Sequence, residues 1–171
     1  MSKSYKNSQL YKAFYFAYKA HGNQKRKYTG DPYMMHPLAV AQIVKDYGGT
    51  EEMQMAAFLH DVVEDTHIAI VDIEQNFGLK VANLVGWLTD ISRPTDGNRS
   101  VRKAIDRKHS ADSPAEAQFI KLADLLDNTK SIVEHDPKFA KVYLKEKELL
   151  LDAMDKVHDT ELFSVVSQQI S

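Results

Sequence analysis

Apolar residues recur along the chain at intervals of three and four, the spacing that places them on one face of an α-helix. The first such stripe predicts a helix over residues 8–20, ended by Gly22, and puts the aromatic residues at 11–18 in the core. This stripe consists of Leu10, Phe14, Ala17 and Tyr18. No stretch shows the sustained alternation of apolar and polar residues that is typical of half-buried strands. The pattern therefore predicts an all-α fold.

Capping residues and prolines mark where several helices should begin. Thr50 precedes two glutamates that oppose the positive end of a helix dipole, and Asp136 precedes a proline at the first helical position. Ser113-Pro114 carries the same signal. Helices are predicted to begin at Pro37 and Thr50 and to cover residues 69–76, 79–91, 99–109, 113–133, 136–154 and 160–169. Without a repeat or a low-complexity linker, residues 1–171 are predicted to form a single domain.

Composition removes several classes of protein. The 171 residues include no cysteine, which excludes disulfides, Cys-ligated metals and a thiol nucleophile. Lys and Arg total 22 against 24 for Asp and Glu, a balance that argues against a nucleic-acid partner. No apolar run reaches the ~20 residues of a membrane helix, so no membrane partner is expected. The N-terminus lacks a signal-peptide pattern, which predicts a cytoplasmic protein, and homo-oligomerisation is left open.

Polar residues interrupt the apolar stripes at three places. They are His36, the pair His60-Asp61 followed by Glu64-Asp65, and the trio Lys121, Asp124 and Asn128. Helical spacing places the second group on one side of a helix and the third group on one face of another. Two imidazoles and two carboxylates from separate helices form a mixed nitrogen and oxygen site, which suits Mn²⁺, Fe²⁺ or Zn²⁺ better than Ca²⁺. Such a metal polarises a phosphoryl oxygen and lowers the pKa of water.

A purely structural interpretation fits the same spacing. A single histidine on an apolar helix face is more often a hydrogen-bonded core residue than a ligand, and an acidic pair after a helix is often only a polar end. Against this, burying His60, Asp61 and Asp124 beside long apolar runs without partners would be unfavourable. Spacing alone leaves the two interpretations equally open.

The sequence around these residues favours the metal-site interpretation over the purely structural one. The order of His36, His60-Asp61 and Asp124 is similar to the H…HD…D signature of HD-domain metal-dependent phosphohydrolases. Longer stretches resemble the hydrolase domain of the RelA/SpoT family, and within it the stand-alone small alarmone hydrolases, including the metazoan type. These stretches are HGNQKRKYTGDPYMMHPLAVA at 21–41, AFLHDVVEDT at 57–66, and KLAD at 121–124 with Asn128. The resemblance implies an all-helical HD-domain bundle.

The resemblance also implies an activity. Its members remove the 3′-pyrophosphate from guanosine tetra- or pentaphosphate, (p)ppGpp, with Mn²⁺ as cofactor, so the expected partner is a small hyperphosphorylated nucleotide. Carried over by position, the metal ligands are His36, His60, Asp61 and Asp124. Glu64 and Asp65 match the pair that orients and deprotonates the attacking water. The expected substrate contacts are Arg26, Lys27, Asn128 and Tyr143.

Departures from the family pattern leave the substrate open. Asp31 stands where glutamate is usual, and Leu125 and Asp127 replace a basic residue and His or Tyr near the motif. A hyperphosphorylated adenosine nucleotide is therefore an alternative substrate. An HD-type nucleotide phosphatase that releases orthophosphate and a non-catalytic nucleotide sensor are the alternative functions. The basic segment 99–108 is either one side of a phosphate channel or a solvated helix face.

Overall fold

The computed structural model describes residues 8–171. Over this range the chain is helical apart from its connections, and an isolated bridge between Lys25 and Pro32 is its only β-type pairing. The predicted all-α fold is confirmed. None of the helices in the described range combines the length and the apolar character that a membrane span requires. The chain divides into two compact units, Met1–Thr89 and Asp90–Ser171.

The first unit is built around one central helix. Its helices within residues 8–89 are α1 Gln9–His21, α2 Met35–Asp46, α3 Glu51–Leu59, α4 Val62–Asp65, α5 Ile70–Phe77 and α6 Leu79–Leu88. The central helix is α3, which packs against α1, α2 and α6. Because three helices surround it, α3 buries residues on most of its circumference, including Met53, Ala56 and Leu59. This all-round burial supports the segment that carries the histidine–aspartate pair.

The tyrosines of α1 do not join the core. Ala13 and Ala17 are fully buried and form the face of α1 that packs inward. Tyr11, Tyr15 and Tyr18 are 38%, 46% and 52% exposed and stack along the solvent side of the helix. A tyrosine there keeps its hydroxyl in water, whereas burial would require a hydrogen-bond partner. The expectation of a buried aromatic cluster at 11–18 is therefore wrong for these three residues.

The helix that carries the histidine–aspartate pair begins as predicted and ends early. The Thr50 hydroxyl accepts a hydrogen bond from the Met53 amide and so caps α3. The helix ends at Leu59, whereas the apolar stripe predicts its continuation. His60 and Asp61 form a turn, after which the chain enters α4. The pair therefore lies at a break between two helices.

The second unit is organised around a long helix. Its α-helices are α7 Arg99–Asp112, α8 Ala115–His135, α9 Pro137–Ala153 and α10 Glu161–Ile170, with short 3₁₀ helices at Pro94–Asp96 and Asp155–Val157. The long helix α8 packs against α7, α9 and α10. Its buried side includes Ile120, Leu122 and Leu125, while Asp124 is a buried charged residue within the same stretch.

One of the two predicted proline-linked caps forms, and the other does not. The Asp136 carboxylate accepts a hydrogen bond from the Phe139 amide at 3.2 Å, which caps α9 as predicted. The hydroxyl of Ser113 instead donates to the Ser110 carbonyl oxygen at 2.7 Å, at the end of α7. Pro114 occupies the cap position of α8. The prediction that Ser113 caps α8 is wrong because its hydroxyl closes the preceding helix.

A buried carboxylate anchors the start of the second unit. Oδ1 of Asp106 accepts hydrogen bonds from the Ile91 amide at 3.1 Å and the Ser92 amide at 2.9 Å. Its Oδ2 accepts the Ser92 hydroxyl at 2.8 Å. These bonds satisfy two backbone amides of a non-helical segment and fix it against α7.

At Gly49 the backbone passes close to Val44, near the end of α2. A Cβ atom at this position would lie 2.8 Å from the Val44 carbonyl oxygen and would also overlap the Val44 side chain. We expect Gly49→Ala to lower the free energy of unfolding by about 3 kcal/mol, as measured by urea denaturation. Gly48→Ala is the matched control, because Gly48 has a φ of 84° but open space around it, so the loss should be about 1 kcal/mol. Equal losses would contradict the packing argument.

Candidate metal centre

The orientation of His60 is fixed by its own backbone. Its Nδ1 lies 2.7 Å from the Ala57 carbonyl oxygen, and because a carbonyl can only accept, Nδ1 carries the proton. The lone pair of a neutral imidazole is then on Nε2. Metal-binding histidines usually donate their other ring nitrogen in this way. The bond therefore prepares Nε2 of His60 as a ligand.

Two further side chains that can bind a metal, those of Asp61 and His36, face His60 within the first unit. Asp61 Oδ2 lies 3.1 Å from Nε2 of His60 and 3.7 Å from Nε2 of His36. The two imidazole centroids are 5.1 Å apart. Both histidines are buried, whereas Asp61 is partly accessible. Nitrogen and oxygen donors that converge in this way can hold a divalent transition-metal ion.

Tyr33 belongs to this cluster, although the sequence analysis did not single it out. Its hydroxyl donates a hydrogen bond to Oδ2 of Asp61. Its ring centroid lies 6.0 Å from that of His36 and 4.8 Å from that of His21. The hydrogen bond restricts the Asp61 carboxylate. A tyrosine three residues before His36 was the available signal, but only the folded loop shows where its hydroxyl points.

The acidic pair Glu64 and Asp65 ends the short helix α4. Both residues are accessible to solvent. Partial burial raises the pKa of the Asp65 carboxyl, and the neighbouring charge of Asp61 raises it further, while His21 acts in the opposite direction. A carboxylate with a raised pKa is a stronger proton acceptor, which suits a general base.

A chain of hydrogen bonds holds the backbone at Asp65. Gln24 Nε2 donates to the Asp65 carbonyl oxygen at 2.8 Å. Its Oε1 must then face Nδ1 of His21, at 2.9 Å, and accept a hydrogen bond from it. His21 is buried at the end of α1, so the position of α4 is tied to that helix.

The basic pair Arg26-Lys27 lies on a compact loop. The Arg26 amide donates to the Asp31 carbonyl at 2.8 Å, and the Gly30 amide donates to the Arg26 carbonyl at 3.1 Å. Gly30 has a φ of 73°, a value that favours glycine. The Lys27 ammonium lies 4.9 Å from the centroid of the Tyr28 ring. The loop thus presents two cations on an ordered backbone.

Asp124 is held by two neighbours on its own helix. Its Oδ1 accepts a hydrogen bond from Nδ2 of Asn128 at 2.8 Å, and its Oδ2 lies 3.1 Å from the Lys121 ammonium. Asp124 is buried, and the other two residues are half-buried. The Lys121 side chain therefore forms an ion pair within α8, and Asn128 orients the carboxylate that the resemblance identifies as a ligand.

Tyr143 is deeply placed in the second unit. Its hydroxyl lies 3.3 Å from Oγ1 of Thr129, and burial raises the pKa of Tyr143 to about 12. The Lys147 ammonium lies 5.0 Å from the centroid of its ring. The phenol is consequently neutral near pH 7, and the ring contributes an apolar, electron-rich face.

The structure thus gathers part of the predicted site within one unit. The first unit brings together His36, His60 and Asp61, with Glu64, Asp65, Arg26 and Lys27 in the same unit. Asp124, Asn128 and Tyr143 belong to the second unit. The roles of these residues as ligands, bases and substrate contacts stay predictions.

A model of a protein family described as HD domain matches residues 13–150. The match covers most of the 171 residues, so the chain belongs to the HD domain family. Within it the chain is similar to MESH1 of Xenopus tropicalis, named guanosine-3′,5′-bis(diphosphate) 3′-pyrophosphohydrolase. The two are 36% identical over 126 residues, which are 72% of this chain and 69% of that protein. The predicted family resemblance is confirmed.

Longer relatives share only this region. A Synechocystis protein named probable guanosine-3′,5′-bis(diphosphate) 3′-pyrophosphohydrolase is 40% identical over 130 residues, which are 74% of this chain and 17% of that protein. The chain spans only about a fifth of the length of several curated relatives that it matches, up to 21% for the Arabidopsis proteins.

A solved structure supports the fold. It is described with the words "A metazoan ortholog of SpoT hydrolyzes ppGpp and plays a role in starvation responses". The TM-score is 0.83 at 28% identity, and the match covers 96% of this chain and 94% of that chain.

Proposed function

We propose that the protein is a metal-dependent hydrolase that removes the 3′-pyrophosphate of (p)ppGpp and leaves GDP or GTP. The observation that carries the proposal is the cluster of the buried His36 and His60 with the partly accessible Asp61 in a chain of the HD domain family. The names of the Xenopus and Synechocystis relatives support this substrate and this reaction. They agree with the activity predicted from the sequence.

We propose that Mn²⁺ is held by His36, His60, Asp61 and Asp124. The first three fit a divalent ion because Nδ1 of His60 is already bonded to a carbonyl and its Nε2 faces the Asp61 carboxylate. Asp124 joins the set through the resemblance of its motif. Imidazole and carboxylate donors suit Mn²⁺, Fe²⁺ or Zn²⁺, and the family resemblance favours Mn²⁺. The ion would polarise the phosphoryl group under attack and lower the pKa of the attacking water.

The acidic pair supplies the proton acceptor in this proposal. Glu64 and Asp65 orient the water and accept its proton as the oxygen attacks phosphorus. The pKa of the Asp65 carboxyl is raised and therefore lies closer to neutral pH than the pKa of an ordinary aspartate, which makes Asp65 a better proton acceptor. The bond between phosphorus and the ribose 3′-oxygen breaks, the 3′-oxygen takes up a proton to become a hydroxyl, and pyrophosphate is released.

The remaining residues bind the nucleotide. The Arg26 guanidinium can form paired hydrogen bonds with a phosphate or stack on a purine, and Lys27 adds a second positive charge. Asn128 donates its amide hydrogen to Asp124, which leaves its carbonyl oxygen to accept a ribose hydroxyl. Tyr143 is proposed to lie near the base.

A nucleotide panel tests this function. The protein with Mn²⁺ is incubated with ppGpp, pppGpp and the adenosine analogue, and the products are resolved by anion exchange. Pyrophosphate together with GDP or GTP is the expected result. Release of orthophosphate would instead favour an HD-type nucleotide phosphatase, and preference for the adenosine analogue would change the base. Tight binding without turnover would indicate a nucleotide sensor.

Tyr33→Phe should weaken the metal site without dismantling it. The substitution removes only the hydroxyl that donates to Asp61. Loss of such an outer partner typically lowers metal affinity about 10- to 100-fold, and we expect about 10-fold here. Titration calorimetry with Mn²⁺ measures the change, with Tyr15→Phe on the exposed side of α1 as the control. Unchanged affinity for Tyr33→Phe would show that the hydrogen bond does not support the ligand.

Several accompanying predictions concern the whole protein. We propose that residues 1–171 act as a single hydrolase domain in the cytoplasm, on a small nucleotide rather than on a nucleic acid or a membrane. Homo-oligomerisation and phosphate contacts of segment 99–108 stay open alternatives. Size-exclusion chromatography with light scattering addresses the first of these.

A further inference from the structure

The acidic pair Glu64-Asp65 lies on a helix of a single turn. Helix α4 covers only Val62–Asp65, and one helical turn is unstable unless other parts of the protein support it. The backbone becomes extended at Thr66, so the Asp65 carbonyl oxygen lies at a helix end, where carbonyl groups have no partner within the helix. The buried Val62 side chain anchors the start of the turn. The end that carries the two acids requires a further support.

The Gln24 side chain provides this support. Its Nε2 donates a hydrogen bond to the Asp65 carbonyl oxygen at 2.8 Å, although the two residues are 41 positions apart in the sequence. Because a carbonyl oxygen can only accept, this contact fixes which way the Gln24 amide points. Its Oε1 then accepts a hydrogen bond from Nδ1 of His21 at 2.9 Å. Both polar atoms of the amide are therefore bonded within the first unit.

The buried imidazole of His21 serves this one amide. His21 is 3% exposed, and within residues 8–171 its ring makes a single hydrogen bond, the one to Gln24. Its Nε2 is buried and has no hydrogen-bond partner in that range. Burial of a polar ring costs free energy that one hydrogen bond offsets only in part. The ring provides in return a fixed orientation of the Gln24 side chain.

The backbone of Gln24 connects the same residue to the candidate metal centre. Its carbonyl oxygen accepts a hydrogen bond from the Tyr33 amide at 2.9 Å, and the Tyr33 hydroxyl donates to Asp61. Gln24 is thus bonded through its backbone to the residue that restrains Asp61. Through its side chain it is bonded to the turn that carries the acidic pair. These contacts set where the acids stand relative to Asp61.

We propose that Gln24 is a positioning residue for the acidic pair in the hydrolytic step, and that His21 holds Gln24 in the required orientation. This inference rests on the proposed function. Gln24 bonds the backbone of Asp65 and not its carboxylate, so it acts on the placement of the acids rather than on the metal or the nucleotide. A misplacement of about 1 Å is enough to lower a catalysed rate about 100-fold.

Gln24→Leu tests the proposal, because it removes both side-chain hydrogen bonds and leaves the backbone bond to Tyr33 in place. We expect the single-turnover rate at saturating nucleotide to fall about 10- to 100-fold, with Mn²⁺ content and KM close to the wild-type values. Gln54→Leu is the matched control, since Gln54 also donates from Nε2 to a backbone carbonyl oxygen, that of Gly49, at 3.2 Å. Its single-turnover rate should equal that of the wild type.

Two variants of His21 separate positioning from packing. His21→Leu removes the donor that orients Gln24, and we expect the single-turnover rate to fall about 5- to 10-fold. His21→Asn returns an N–H group near the place of Nδ1 and should recover most of this loss. Asparagine is no larger than leucine, so recovery would report the hydrogen bond rather than the filling of the buried site. Equal losses in the two variants would remove His21 from the proposal.

Amide hydrogen exchange without nucleotide distinguishes this inference from the proposed function. The amides of Asp65 and Thr66 donate to the carbonyl oxygens of Asp61 and Val62 within the turn. In Gln24→Leu we expect them to exchange about 5- to 10-fold faster than in the wild type. Faster exchange in a protein whose wild type hydrolyses no nucleotide would contradict the proposed function and leave the support of the turn by Gln24 established.

Three results would overturn the positioning role. The first is unchanged amide exchange in Gln24→Leu. The second is an unchanged single-turnover rate in that variant when the wild type is active. The third is a loss of rate that follows the loss of Mn²⁺ or that Gln54→Leu reproduces, because either pattern would indicate general destabilisation of the unit.

Discussion

Asp61→Asn is expected to release the metal and to lower (p)ppGpp turnover by more than about 100-fold. This loss exceeds the effect usually seen when a residue that only hydrogen-bonds to a metal ligand is removed. Asparagine has the size of aspartate and can still accept the Tyr33 hydrogen bond, so the turn after α3 should stay folded. It removes the negative charge beside two imidazoles, and the remaining ligands form an incomplete shell. Elemental analysis after dialysis should find about one Mn²⁺ per wild-type chain and little in the variant.

Asp124→Asn extends this test to the second unit, and metal and turnover should again fall together. Asp46→Asn is the matched control, because Asp46 is exposed at the end of α2 and its carboxylate accepts a hydrogen bond from Gln42. Full metal content in Asp124→Asn would remove Asp124 from the ligand set. Full turnover in chelator-treated wild-type protein would contradict the metal assignment altogether.

Candidate ligands could be chosen from the sequence because few residue types bind transition metals. His60 and Asp61 interrupt an apolar stripe, and that interruption is visible without coordinates. The local geometry could not be predicted. The His60 ring bonds the Ala57 carbonyl, which in a continuous helix would bond the amide at position 61. A stripe of apolar residues contains no signal for that exchange, so the break between α3 and α4 was missed.

Contacts that depend on loop conformation also could not be predicted from the sequence. The bond from Tyr33 to Asp61 joins residues 28 positions apart, and its direction is set by the folded loop before α2.

A second error concerns the tyrosines of α1, for which the sequence predicts burial. Their aromatic character predicts burial, but the small side chains Ala13 and Ala17 face inward, and the tyrosines remain in water. Periodicity identifies a helix more reliably than it identifies which of two apolar faces packs inward.

Glu64→Gln should separate chemistry from binding. Glu64 lies on the short helix α4 and is exposed, so glutamine should preserve the fold, the metal content and the affinity for the nucleotide. If Glu64 accepts the proton of the attacking water, the single-turnover rate at saturating nucleotide should fall about 10²- to 10⁴-fold. A residue that only ends a helix with a polar group would tolerate this nearly isosteric change.

Arg26→Ala provides the contrasting variant, because a residue that binds phosphate equally in the ground and transition states contributes to affinity rather than to the chemical step. We expect KM to rise with little change in the single-turnover rate at saturation, the reverse of the Glu64→Gln pattern. Metal content measured in parallel keeps both results independent of the ligand set. An unchanged single-turnover rate for Glu64→Gln would remove Glu64 as the proton acceptor and leave Asp65, whose carboxyl pKa is raised by partial burial and by Asp61, as the base to test next.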